Sequence, residues 1–208
     1  MFIGHFAAGF IGSRIEPRLR LGTAFVAAQL PDVLWPVLLL TGAERASIVP
    51  GDTVVTPLRF DYYPWSHSLL MVAVSAVVFG LLVRRKGGGP RAGLVAGMLV
   101  ASHWLLDVVS HRPDVPLMPD AGPLLGMGLW NSFAATVLVE GALFAGAVAF
   151  YVRGRRVAWG FWSLVGTLLA LYAANLLGPP PPSMTAVALS GLLAVPLFWF
   201  WANRVEAQ

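Results

Sequence analysis

Apolar residues run almost unbroken over six stretches of the chain, at about 21–42, 66–84, 92–111, 129–152, 157–177 and 184–203. Each is close to the ~20 residues that carry a helix across a hydrocarbon core at about 1.5 Å per residue. The pattern predicts an all-α, polytopic membrane bundle of about six transmembrane helices. A further apolar run, Met1 to Ser13 in "MFIGHFAAGFIGSRIEPRLR", is too short to span. We expect a short N-terminal helix that dips into the bilayer or packs on the bundle. No basic residue precedes this run, so it does not read as a signal peptide. No long linker interrupts the sequence. A single membrane domain over 1–208 is expected, with site-bearing helices in 1–152 and two accessory membrane helices in 153–208. The connections 43–65 and 112–128 read as long loops, and "GPPPPS" at 178–183 as a short one.

Composition agrees with this pattern. Of 208 residues 57% are hydrophobic and only 12% charged, against about 25% charged in an ordinary soluble domain. The net charge of +4 by itself would permit a nucleic-acid partner, but the positions of the charges argue for topology. Arg14, Arg18, Arg20, Arg84, Arg85, Lys86, Arg91, Arg153, Arg155, Arg156 and Arg204 all fall in alternate connections, and only Arg45, Arg59 and Arg112 fall in the others. Cytoplasmic loops carry the Lys/Arg excess. Both ends of the six-helix core are therefore expected in the cytoplasm, and no nucleic acid is expected as a partner. The chain has no cysteine, which excludes disulfides, thiolate metal sites and a cysteine nucleophile.

The polar residues inside the apolar runs carry the chemistry, because ionisable groups in membrane helices are costly and mark functional sites. They are Asp32, His67, His103, Asp107, His111 and Glu140, with His5 in the short first helix. "ASHWLLDVVSH" spaces His103, Asp107 and His111 four apart. On a helix, successive members are offset by roughly 40° and about 6 Å along the axis, so all three share one stripe. Imidazole nitrogens and carboxylate oxygens suit first-row metals, zinc in particular. Pro113 is expected to end the helix just past His111. Pro31 and Pro36 bracket Asp32, which predicts a bent path and a polar cavity there. Ser66 is expected to cap the helix that His67 opens, and Asn131 to cap the fourth span. Tyr62, Tyr63, Trp65 and Trp130 fit an aromatic belt at the outer interface. Asp61, Asp114 and Asp120 read as loop residues.

Taken in order, "GHFAAGF", "LPD", "SHSLL", "SHWLLD" and the following "LW" resemble the bacterial inner-membrane metal-dependent hydrolase family of small multi-span proteins. The resemblance covers about residues 4–140, and the last two spans carry none of it. That family is in turn similar to zinc-dependent phospholipases C, which use early His, Asp and His ligands, a helix with His-x-x-x-Asp and another His, and then His-x-x-x-Glu. His5, Asp32, His67, His103, Asp107 and His111 match those types in order. No His stands four before Glu140, and no Trp begins the chain, so one or two metal ions are expected rather than three. The resemblance implies a bacterial inner (plasma) membrane location and a lipid phosphoester substrate.

The expected function is a membrane-embedded metal-dependent hydrolase with an outward-facing site and zinc as the expected metal, its ligands His5, Asp32, His67, His103, Asp107 and His111. Asp32 or Glu140 would serve as general base, and Arg59 or Arg112 would hold a phosphate oxygen. Two alternatives stand beside it. One is a metal-ion or proton transporter. The other is a non-catalytic metal- or haem-binding protein, with His67 and His103 as axial ligands.

Overall fold

A computed structural model describes residues 1–206 and is mostly helical. Its helices are α1 (Ile3–Ile15), α2 (Leu21–Ala28), α3 (Leu30–Leu40), α4 (Pro64–His67), α5 (Leu69–Val83), α6 (Gly89–Ser110), α7 (Phe133–Val152), α8 (Trp159–Leu177) and α9 (Met184–Glu206). Two antiparallel hairpins interrupt them, β1 (Arg45–Ile48) with β2 (Leu58–Tyr62), and β3 (Val115–Met118) with β4 (Ala121–Leu125). Both hairpins lie in segments expected as loops, so the fold is helical with a small β portion rather than all-α. Ala46 pairs Phe60 and Ile48 pairs Leu58 in the first; Val115 pairs Leu125 in the second.

The helix α1 is a buried strut. Ile3, His5, Phe6, Phe10 and Gly12 are all buried, and α1 packs against α7, α2 and α6. Of the two expectations for this run, packing on the bundle is the one observed. An aromatic core surrounds it. The Phe10 ring meets Phe25, Phe144, Tyr151 and Phe161, mostly edge-on, the arrangement that the ring quadrupole favours. A second apolar cluster joins α2, α5 and α6 through Ala24, Ala27, Val72, Ala96 and Val100. There α5 and α6 form a close hairpin, and a Cβ on Gly80 or Gly93 would run into the other helix's carbonyl. Small residues at such a crossing let two backbones approach, which is how apolar helices gain packing in lipid.

The first apolar run is a broken element. Pro31 has no N–H for the carbonyl of Ala27, and its ring disfavours helix in the residue before it. Gln29 takes φ −107°, ψ 8°, and α3 leaves α2 at 57°. The second run also breaks. His67 ends the single turn α4, Ser68 is extended, and the Ser68 hydroxyl, not Ser66, caps α5 by accepting the Met71 N–H at 3.3 Å. Likewise Ser132, not Asn131, caps α7, accepting from Ala135 N–H. Three helices, α7, α8 and α9, are long and apolar enough to cross a membrane, or four spans if the bent α2–α3 pair counts as one. The expected six are not all met as single helices. α5 has 15 residues, or about 22 Å of rise, short of a full crossing.

On the side bearing the basic connections, α9 closes the bundle. Glu206 accepts the Leu21 N–H at 2.8 Å and Asn203 accepts the Gly22 N–H at 3.1 Å. Side chains from the end of α9 thus satisfy two free N–H groups in the first turn of α2.

Candidate metal centre

The site begins with the break between α2 and α3. The interrupted ladder leaves the carbonyl of Ala28 facing α6, where it accepts the Nδ1–H of His103 at 2.8 Å. That bond fixes the tautomer of His103 and turns its Nε2 lone pair toward Asp107 Oδ2 at 3.1 Å and Asp32 Oδ2 at 3.8 Å. A histidine that gives one N–H to the protein and offers the other nitrogen inward is the usual arrangement of a metal ligand.

His67 repeats this logic with a longer support. Glu44 is buried and accepts both the backbone N–H and the hydroxyl of Ser66, at 2.8 and 2.7 Å. The Ser66 oxygen is therefore free to accept from His67 Nδ1 at 2.6 Å. His67 Nε2 then faces Asp32 Oδ1 at 3.4 Å and Asp107 Oδ2 at 3.8 Å. His111 makes a third case. α6 ends at Ser110, one residue earlier than the four-residue spacing predicted, and His111 is its extended C-cap. It leaves the helical stripe but not the site. Its Nδ1 is 3.0 Å from Asp114 Oδ1, and its Nε2 is 3.8 Å from Asp107 Oδ1.

His5 arrives from α1. Its ring stacks on His103 with centroids 3.7 Å apart and planes 7° apart, and its Nε2 is 3.1 Å from Asp107 Oδ1. The Met1 amino nitrogen lies 2.8 Å from the same carboxylate oxygen. Asp107 thus sits at the hub, with His5 on its Oδ1 side and His67 and His103 on its Oδ2 side. Two donor triads result, His5–His103–Asp107 and Asp32–His67–His103. A buried His/Asp cluster of this kind can hold a metal ion. His103 belongs to both triads, and its single free lone pair can bind only one ion. Asp107, with two oxygens, can bridge two. The donor set therefore suits one ion, or two joined by Asp107. The fit is supported by His103 Nε2, which is buried with no hydrogen bond of acceptable geometry. A buried polar atom without a partner is otherwise costly.

The other expected residues are placed differently. Glu140 Oε2 accepts the N–H groups of Phe2 and Gly4 at 3.0 and 3.4 Å, while Oε1 has no partner. It borders the same cavity as the cluster, so it fixes the start of α1 and, through it, His5. Arg59 donates to Asp52, and Arg112 to Asp52 and Asp114. These bonds lie outside the cavity wall, and they tie the β1–β2 connection to the end of α6.

Several neighbours of the site are not among the sequence candidates. Tyr63 and Trp130, expected as interface anchors, lie against it. Tyr63 is buried and donates to Asp114 Oδ1 at 3.0 Å. Burial, and then the Asp114 charge, hold its phenol well above the usual tyrosine range, so it stays a donor. The Trp130 ring lies 4.4 Å from that of His111. Asp114, expected as a loop residue, orients His111. Glu44 stands 22 positions before Ser66 in sequence, and no local spacing announces their contact. Only the "SH" dipeptide, a hydroxyl beside a ligand-type histidine, carried a hint.

A cavity of about 470 Å³ opens at Asp32, His67, Asp107 and His111 and continues along an apolar wall. Asp32 is the one member of the cluster with an exposed side chain, at 45%, and it faces this space. Comparison of the chain with family models, with curated proteins and with solved structures finds no match.

Proposed function

We propose that the chain is a metal-dependent hydrolase embedded in a bacterial inner membrane, using zinc to cleave a lipid phosphoester. The observation that carries this reading is the convergence of histidine Nε2 atoms, three of them fixed through Nδ1, on two carboxylates at the mouth of a cavity. In this reading the six apolar runs all lie within the bilayer, with α2–α3 as one bent span and α4–α5 as another. The basic connections face the cytoplasm and the hairpins face outward.

Zinc bound there would lower the pKa of a water toward about 7 and polarise a phosphoryl oxygen. The chain's own residues do the rest. His5, His67, His103 and Asp107 would hold the metal, and Ala28, Ser66 and Glu44 keep two of those rings aimed. Asp32 is open to the cavity and close to both His67 and His103, which suits it to take a proton from the attacking water when it is not itself a ligand. Trp130 and Tyr63 exclude bulk water from the His111 side.

A transporter would need polar groups leading on from the cluster. Beyond His5 the core is instead Phe6, Phe10 and Phe25. A haem between two histidines is disfavoured because the His5, His67 and His103 rings lie too close together, at 3.7 and 5.3 Å between centroids, to admit a porphyrin.

The test is elemental analysis of the purified protein beside His103→Ala and Asp107→Ala, with hydrolysis of lipid phosphoesters assayed with and without zinc. The expected result is about one or two zinc ions per chain in the wild type, loss of metal and activity in both variants, and unchanged helical circular dichroism. A metal-free wild type that zinc does not activate would refute the proposal.

A further inference from the structure

The last two helices contribute nothing to the metal cluster, yet they build much of the cavity beside it. Away from Asp32 and the histidines, the wall includes Phe6, Phe25, Val33, Val187, Ala194 and Phe198. A space of 470 Å³ is far larger than a single water needs. Most waters there would face alkyl and phenyl groups and lack the two to four polar partners that an ordered buried water needs. The chemistry of the wall calls for a hydrocarbon chain.

The near end of the cavity says more. Three buried polar atoms on its lining have no partner: Trp35 Nε1, Gln29 Oε1 and Glu140 Oε1. Trp35 is 7% exposed and Glu140 1%. Gln29 and Trp35 stand three residues either side of Asp32, so they lie where the cluster gives way to the apolar wall. An unpaired N–H donor and two unpaired acceptors on the lining of one mainly apolar cavity match the linkage of an amphiphile. An ester carbonyl can accept from Trp35, and a neighbouring hydroxyl can donate to Gln29 or Glu140. The source is close at hand. The outer face of α9 exposes Leu189, Leu193, Leu197 and Phe200, so a single helix separates this cavity from surrounding lipid.

We propose that the cavity between α2, α3, α8 and α9 holds one ester-linked acyl chain of a membrane lipid, its linkage against Trp35 and its head at the histidine–aspartate cluster. This rests on the hydrolase reading and assigns α8 and α9 the recognition of the chain.

The full chain, in nanodiscs containing a phospholipid with a diazirine in its acyl chain, is irradiated and the cross-links are mapped by mass spectrometry. Cross-links should concentrate on Val187, Ala194 and Phe198. Ala194→Trp, which fills the cavity, and Trp35→Phe, which removes only the N–H donor, should each lower them about tenfold with zinc content unchanged. Cross-links confined to Leu189, Leu193 and Leu197 and insensitive to both variants would overturn the proposal. So would displacement of the probe by an isoprenyl phosphate but not by unlabelled phosphatidylglycerol. Wild-type protein that binds zinc and cleaves a soluble phosphoester without the inward cross-links overturns the chain site alone. Metal-free, inactive protein that still gives them overturns the hydrolase reading alone.

Discussion

His67, His103 and His111 each commit Nδ1 to the protein, and each draws on a different partner: a hydroxyl, a carbonyl and a carboxylate. Such outer partners set ligand basicity and orientation, and their loss commonly weakens metal binding by about 10–100-fold. Ser66→Ala should therefore lower zinc affinity by about that factor in a chelator competition, with the fold intact. The effect should exceed that of Trp65→Ala, whose side chain is half exposed. Glu140 invites a sharper separation. If it holds the start of α1, Glu140→Ala leaves the buried Gly4 N–H and the part-buried Phe2 N–H without an acceptor and should cost about 1–3 kcal/mol, read as a lower denaturation midpoint. Glu140→Gln keeps an acceptor and should retain most of that stability. Loss of hydrolysis in Glu140→Gln at wild-type stability would instead make it the general base. The ligand types were legible in the sequence, because a charged or imidazole side chain within an apolar run stands out against its neighbours. Their supports were not. Glu44, Ala28 and Asp114 are ordinary residues until folding brings them near a histidine.

At the scale of elements, the sequence showed where a helix must break but not what the break is for. Pro31 and Pro36 announced a bend at Asp32. The bend also frees the Ala28 carbonyl that orients His103, a contact 75 positions apart that no periodicity reveals. Pro31→Ala gives the Ala27 carbonyl back an N–H and should favour a continuous α2–α3 helix. The metal-free protein should then melt higher while zinc binding falls about tenfold, two changes of opposite sign that differential scanning calorimetry and chelator titration can separate. The hairpins were missed for a related reason. "RASI" and "LRFDY" are short, and "VPLM" and "AGPLL" contain proline and glycine, which argue against strand by local propensity. Pairing within each hairpin and contact with the helix ends below overrode that preference, as when the Trp104 Nε1–H donates to the Pro116 carbonyl at 3.1 Å.

For the whole molecule, the two hairpins act as one cover. Asp52 accepts from Arg59 and from Arg112 at 2.9 and 2.7 Å, and Tyr62 donates to Asp120 at 2.6 Å. The arginines are partly exposed, so each pair contributes little by itself. Together they hold two segments that are distant in sequence. Asp52→Asn should loosen them by about 1 kcal/mol, giving roughly fivefold faster amide exchange over 45–62 and 112–125 with no change in α7–α9. The number of spans was only partly readable, because the apolar runs at 21–42 and 66–84 fold as broken pieces, one at the α2–α3 bend and one at Ser68.

The bond from Glu140 to the N–H of Phe2 also orders events in time. Phe2 precedes Glu140 by 138 positions, so α1 has its full set of neighbours only when α7 has been made. Closing so long a loop is entropically slow, and until it closes, the imidazole of His5 has no fixed place beside Asp107. The His5–His103–Asp107 triad is thereby completed only after α7 has been made. On the hydrolase reading, a nascent chain arrested before residue 140 should bind zinc more weakly than the full chain, because only the Asp32–His67–His103 triad is then in place.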